Sequence, residues 1–129
     1  MSDTYRILVV EDNDLNLKLV RDVLSYAGFD VLEARSGEQG VELANACRPH
    51  LILMDLQLPG IDGTETLRQL RASPLTQDVP VVAVTAFAMR EDRERAVLSG
   101  FDGYVEKPFS TRELPGQVHG FLSVGRNGR

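Results

Sequence analysis

The chain has 129 residues, a length typical of one compact domain. Its 43% hydrophobic and 26% charged residues are ordinary globular values, and its net charge of −5 argues against a general nucleic-acid binder. The single cysteine, Cys47, excludes an internal disulfide and favours a reducing cytosol. The chain shows no signal peptide and no apolar run near the roughly 20 residues of a membrane helix. These features predict a cytoplasmic domain without nucleic-acid or membrane partners.

Apolar runs and helix-stop residues divide the chain into alternating strands and helices. The first strand is predicted over 6–10 and the first helix over 15–27, with Asp14 as its N-cap and Gly28 just past its end. The later elements are predicted, in chain order, at 30–34, 37–47, 51–54, 64–72, 81–84, 88–99, 103–105 and 110–122. Strands and helices that alternate in this way, with near-continuous apolar strands, predict an α/β fold with a parallel sheet covered on both faces.

The last predicted helix, over 110–122, contains residues that weaken it. Pro115 lies beyond its first turn, where proline removes a helical hydrogen bond and clashes with the preceding turn. The glycines at 116 and 120 lower its stability further. We therefore expect this helix to be kinked or to start late.

Polar residues follow four of the predicted strands. Glu11 and Asp12 follow the first strand, Asp55 the third and Thr85 the fourth, and Lys107 comes shortly after the fifth. Because functional groups gather beyond the carboxyl ends of parallel strands, all five should lie at one edge of the sheet. Adjacent carboxylates repel one another unless a cation intervenes, and oxygen ligands suit Mg²⁺. A hydroxyl and an ammonium group suit phosphoryl oxygens, so the set predicts a carboxylate nucleophile, a metal and two phosphoryl-binding groups.

Each of these residues also has a purely structural explanation. Asp55 could cap a turn, since a loop rich in glycine and proline follows it. Asp12 or Asp14 could only cap the first helix, Thr85 could fill a strand end, and Lys107 could be a surface charge before a proline. The prediction depends on their coincidence at one edge rather than on any single residue.

Four motifs resemble the receiver domains of two-component response regulators, in the CheY-like superfamily. They are "ILVVEDN", "LILMDLQLPGIDG", "VVAVTA" and "GYVEKPF", and the resemblance covers essentially the whole chain. Within that family, "EDNDLNLKLV" and "VPVVAVTAFAM" are most similar to DivK-type single-domain response regulators. The resemblance implies a doubly wound, flavodoxin-like (βα)5 receiver fold with strand order 2-1-3-4-5. It also implies one receiver domain over 1–129, without an output domain and with a flexible tail at 123–129.

The resemblance implies a role for each matched acidic residue. Asp55 matches the phosphoacceptor, which also ligates Mg²⁺, and Asp12 matches the acidic residue that ligates Mg²⁺ beside it; Mn²⁺ can substitute for this ion. Glu11 matches the acidic neighbour that acts on the metal through water. Gln57 occupies the position whose backbone carbonyl ligates the metal, so its side chain is not critical for that role.

The resemblance also implies the residues that bind the phosphoryl group and report it. Thr85 matches the switch hydroxyl, Lys107 the phosphate-binding lysine and Tyr104 the aromatic residue that changes rotamer as Thr85 moves. The peptide bond between Lys107 and Pro108 is usually cis in this family, and cis bonds are essentially confined to positions before proline.

The implied function is a phosphorylation-activated signalling switch. A histidine kinase or a histidine phosphotransfer protein donates the phosphoryl group, and a downstream protein effector reads the changed surface. Such a domain supports its own phosphotransfer and autodephosphorylation but is not a turnover enzyme. Phe87, two residues beyond Thr85, departs from the family pattern. A bulky ring at this position can hinder the water that attacks the phosphoryl group.

Three other functions fit the sequence less well. A Mg²⁺-dependent phosphatase would need a cap insertion and a general acid at the position of Gln57. An unphosphorylated scaffold would normally have lost one of the matched site residues, and all are present. A flavodoxin-like nucleotide binder would need a phosphate-binding loop after the first strand, where "EDNDLN" is acidic and has no glycine.

Overall fold

A computed structural model of the chain describes residues 4–58, 60–86, 94 and 99–125. The strands are β1 Arg6–Val10, β2 Asp30–Ala34, β3 Leu51–Asp55, β4 Val81–Thr85 and β5 Gly103–Glu106. All pairings are parallel and the strand order is β2-β1-β3-β4-β5, which confirms the predicted doubly wound α/β fold. The described helices are α1 Asp14–Tyr26, α2 Gly37–Cys47, α3 Gly63–Ala72 and the C-terminal helix Leu114–Val124.

Two hydrophobic layers hold this sheet between helices. Side chains of β1, β3 and β4 alternate between the two faces. Ile7 and Leu53 pack into the layer that includes α1 and the C-terminal helix, whereas Leu8 and Ile52 pack into the layer that includes α2 and α3. Every residue of β3 and β4 is buried, as expected of parallel strands covered on both faces. The sheet is therefore a rigid base for residues at its edges.

Among the helices that the structure describes, none has the length and hydrophobicity that a membrane-spanning segment requires.

Three strands run one residue further than the apolar pattern predicted, and each extra residue is polar. Asp55 pairs with Val84 in the parallel ladder, and Thr85 pairs with Glu106. Ladder pairing continues past the apolar run because backbone groups form it, whatever the side chain. The polar residues at the carboxyl edge are consequently held by the sheet rather than by flexible loops.

The N-cap of α1 is Asn13, so the prediction of Asp14 as the cap is wrong. Asn13 has an extended backbone, and its side chain accepts a hydrogen bond from the N–H of Asn16 at 3.0 Å. Asp14 is the first residue of α1, where a negative charge interacts favourably with the positive end of the helix dipole. It also forms an ion pair with Arg35. Asparagine and aspartate cap equally well, so residue preference alone could not choose between neighbours in this acidic run.

The C-terminal helix starts late, as predicted. It begins at Leu114, so Pro115 falls in the first turn, where its missing N–H breaks no helical hydrogen bond. The helix continues to Val124, which means that the first two residues of the tail predicted over 123–129 are helical instead. The last four residues of the chain, and most of the helix predicted over 88–99, lie outside the described residues.

Candidate functional site

The carboxyl edge of the sheet brings three of the predicted site residues into direct contact. The ammonium nitrogen of Lys107 lies 3.0 Å from Oδ2 of Asp55 and 2.8 Å from Oε1 of Glu11. Both carboxylates are almost fully buried, with exposed fractions of 5% for Asp55 and 3% for Glu11. Sequence reasoning placed these residues at one edge but missed that Lys107 pairs with both acids. The sequence offered one signal for this pairing: Lys107 is basic, whereas the residues predicted to lie beside it at that edge include three acids.

Backbone amides bind the remaining oxygens of the two acids. Oδ1 of Asp55 accepts a hydrogen bond from the N–H of Gln57 at 2.9 Å. Oε2 of Glu11 accepts one from the N–H of Asn13 at 3.2 Å. These bonds fix the orientation of both carboxylates before any ligand binds. They also place the backbone of Gln57 beside the carboxylate of Asp55.

Burial and the neighbouring carboxylate make Glu11 costly to ionise. Burial raises the pKa of Glu11 above its ordinary value, and the neighbouring Asp55 raises it further, against the opposing effects of Lys107 and the Asn13 amide. Burial lowers the pKa of Lys107, but its bonds to Glu11 and Asp55 outweigh burial and raise that pKa overall. One ammonium group thus compensates two buried carboxylates only in part.

A third acid completes a set of oxygen ligands for a cation. Glu11, Asp12 and Asp55 each offer a carboxylate oxygen, and these oxygens lie within 4.8 Å of one another. Asp12 is exposed, so the set opens to solvent on one side. Hard divalent ions such as Mg²⁺ favour one or two carboxylates together with water and phosphate oxygens, and the residues present fit that ion. A bound dication would offset the negative charge that these three carboxylates bring together.

Thr85 lies on β4, the strand next to Asp55, and Tyr104 lies on β5, the edge strand beyond it. Thr85 ends β4 with 8% of its surface exposed, and its carbonyl accepts a hydrogen bond from the N–H of Lys107 at 2.8 Å. Tyr104 lies in β5 opposite Ala83, where it is partly buried against the layer beneath α2 and α3. The Lys107–Pro108 peptide bond is cis. Phe87 lies outside the described residues.

Known proteins share both the sequence pattern and the fold. A family model for the response regulator receiver domain matches residues 7–119. The chain is 40% identical over 119 residues to the polar-differentiation response regulator DivK of Brucella ovis, covering 92% of this chain and 97% of that protein. It is likewise 40% identical over 116 residues to DivK of Brucella anthropi, covering 90% and 94% of the two chains.

Solved structures of similar proteins carry the same architecture. The receiver domain of sensor histidine kinase PA1611 from Pseudomonas aeruginosa is 35% identical, with a TM-score of 0.85 over 94% of this chain and 99% of that one. That crystal structure has a magnesium ion coordinated in its active-site cleft. A CheY-like receiver domain protein from Methanospirillum hungatei is 27% identical, with a TM-score of 0.84 over 94% and 95% of the chains.

Proposed function

The chain belongs to the response regulator receiver domain family, and from that premise we propose that it accepts a phosphoryl group on Asp55 in a Mg²⁺-dependent reaction. Receiver domains are phosphorylation-dependent signalling switches rather than enzymes that turn over an external substrate. The observation that carries the proposal is the buried contact of Asp55 with Lys107 at 3.0 Å inside a group of three carboxylates. A donor of phosphohistidine, either a histidine kinase or a histidine phosphotransfer protein, fits this chemistry.

The chain's own residues divide the work of the transfer. An oxygen of Asp55 forms the new bond to phosphorus as the phosphorus–nitrogen bond of the donor breaks, and the electron pair stays on the imidazole nitrogen. Lys107 and the Thr85 hydroxyl bind phosphoryl oxygens and stabilise the charge that gathers on them. Asp12, Asp55 and the Gln57 carbonyl would hold the metal directly, and Glu11 would act through water. When bound, Mg²⁺ neutralises the carboxylates and the phosphoryl oxygens.

Chemical labelling tests the assignment of Asp55. The protein incubated with acetyl phosphate or a phosphohistidine donor should be labelled at Asp55 in the presence of Mg²⁺. Asp55→Asn should remove the label, whereas Asp78→Asn, at an exposed position, should keep it. Equal labelling of Asp55→Asn, or labelling that persists in EDTA, would contradict the proposal.

Phosphorylation should also change the surface that a downstream effector reads. The Thr85 hydroxyl would move toward the phosphoryl group and Tyr104 would turn inward, which gives a two-state element biased by a local charge. Phe109 and Tyr104 would then supply apolar surface to the partner, together with residues at 87 and 89 that lie outside the described part of the chain. Amide chemical shifts recorded with and without beryllofluoride, a mimic of aspartyl phosphate, check this change. Shifts confined to the acidic residues, with 85–109 unmoved, would rule it out.

A further inference from the structure

Gly63, the first residue of α3, lies directly against the backbone of the phosphoacceptor strand. A Cβ built on Gly63 would lie 2.9 Å from the carbonyl oxygen of Asp55 and 2.9 Å from the Cα of Leu56. Both atoms belong to the backbone, so neither can swing aside as a side-chain tip can. Gly63 is also buried, so a Cβ at this position would have no solvent-facing space to enter.

Space, and not backbone conformation, accounts for the glycine here. Gly63 is helical and has no positive φ, unlike Gly60 in the same loop with φ 74°. Any residue could adopt the backbone of Gly63, but any residue with a Cβ would force the helix and the strand apart. A hydrogen bond from the N–H of Gly63 to the carbonyl of Leu56, at 3.3 Å, holds this close approach in place.

The contact closes the loop that carries the site. The N–H of Leu56 binds the carbonyl of Val84 at 3.2 Å, and the N–H of Gln57 binds the carboxylate of Asp55 at 2.9 Å. Gly63 therefore packs against the same short backbone segment that orients the Asp55 carboxylate and places Gln57 beside it. A displacement of that segment would move both groups at once.

We propose that Gly63 is a positioning residue for the site: its missing Cβ lets α3 pack on the backbone of Asp55 and Leu56, and this contact sets the ligand geometry for the metal and the phosphoryl group. The inference rests on the proposed function of Asp55. Well-ordered sites hold their groups within about 0.5 Å of the productive geometry, and misplacement by about 1 Å can cost roughly 100-fold in rate. Gly63→Ala should accordingly weaken Mg²⁺ binding and slow phosphorylation by about tenfold or more.

Gly103 provides a matched control at the opposite edge of the sheet. A Cβ on Gly103 would lie 2.5 Å from Cε1 of Phe121, so Gly103→Ala also creates a steric clash in a packed region. Urea unfolding gives the stability of both variants, and an amide NMR titration of Gln57 gives their Mg²⁺ affinity. We expect both variants to lose stability and only Gly63→Ala to lose Mg²⁺ affinity. Equal Mg²⁺ affinities in the two variants would overturn the inference.

A measurement on the unmodified protein keeps the test decisive if Gly63→Ala does not fold. If the contact at Gly63 favours metal binding, metal binding must favour the contact to the same extent, because coupling between sites is reciprocal. Hydrogen exchange of the Gly63 amide should therefore slow when Mg²⁺ is added, while exchange of the Asp102 amide, bonded to the Val81 carbonyl at 2.8 Å, should not change. Unchanged exchange at Gly63 in protein that binds Mg²⁺ overturns this inference alone. Failure of the unmodified protein to bind Mg²⁺ overturns the proposed function as well.

Discussion

Buried charges lie at both edges of the sheet, but their balance differs. At the carboxyl edge, the cluster of Glu11, Asp55 and Lys107 sets two buried carboxylates against one ammonium group. At the amino edge, the guanidinium of Arg71 lies 2.7 Å from Oδ2 of Asp102, whose side chain is 1% exposed. We call these the carboxyl-edge cluster and the amino-edge pair.

The amino-edge pair also forms hydrogen bonds with backbone groups of neighbouring segments. Oδ2 of Asp102 also accepts a hydrogen bond from the N–H of Val81 at 2.8 Å, and Arg71 donates to the carbonyl of Val79 at 2.7 Å. The pair thus ties the end of α3 to the starts of β4 and β5. Its opposite charges match each other, whereas the carboxyl-edge cluster keeps an excess of negative charge. The amino-edge pair therefore joins secondary-structure elements through matched charges, whereas the carboxyl-edge cluster, with Asp12, brings together carboxylate oxygens of the kind that suit a cation.

The largest expected effect is on stability at the amino edge. Removal of one partner from a buried ion pair leaves the other charge uncompensated, so Asp102→Asn should lower the free energy of unfolding by about 3 kcal/mol. The same substitution at the carboxyl edge, Asp55→Asn, should leave that free energy unchanged or raise it in metal-free protein, because it relieves repulsion with Glu11. Urea unfolding in EDTA measures both. If Asp55→Asn is as destabilising as Asp102→Asn, the proposed difference in charge balance between the two edges is wrong.

Lys107→Met separates phosphoryl binding from metal binding. Loss of a charged donor to the reacting group typically costs roughly 10²–10³-fold in rate, so labelling by acetyl phosphate should slow by about that factor. Mg²⁺ affinity should be kept or increased, since the ammonium group contacts the carboxylates and adds positive charge near the metal site. Lys18→Met, at an exposed lysine paired with Asp22, is the matched control and should change neither quantity. A parallel loss of Mg²⁺ affinity in Lys107→Met would assign the lysine a different role.

The smallest expected effect is a dependence of stability on pH through Glu11. Because the pKa of Glu11 is raised in the folded protein from 4.5, the folded state keeps a proton that the unfolded chain has lost. Its contribution to stability is therefore present below pH 4.5 and is lost as the pH rises through the raised pKa. The stability of the unmodified protein relative to Glu11→Gln should fall across that window, by at most about 1.4 kcal/mol per pH unit. A difference that is flat or rises with pH would contradict the raised pKa.

The fold and the carboxyl edge were predictable from the sequence for specific reasons. Apolar runs such as 51–54 are read directly as buried strands, and parallel topology then places the residues that follow them at one edge. That reasoning placed Asp55 and Lys107 together although 52 residues separate them. The sequence therefore predicts which residues meet when an apolar run identifies a strand and parallel topology fixes the edge at which that strand ends.

Other features depend on local geometry that residue types do not reveal. Asn13 and Asp14 are both good caps, and only the backbone conformation selects Asn13. The amino-edge pair joins residues that are 31 apart, in a region with no motif to draw attention to either one. Gly63 looks like any loop glycine in the sequence, and only the structure shows that a Cβ there would lie 2.9 Å from the Asp55 carbonyl oxygen. Such contacts arise from packing in three dimensions.

A Mg²⁺ titration followed by amide NMR shows whether the carboxyl edge of the sheet binds a cation, as we propose. We expect saturable shifts at the carboxyl-edge cluster, Asp12 and Gln57, with no saturable shift at the amino-edge pair. Asp12→Asn should weaken these shifts at a given Mg²⁺ concentration, because it removes the exposed carboxylate of the set. Saturable shifts of equal size at both edges, or an unperturbed carboxyl edge, would contradict a cation site at the carboxyl edge.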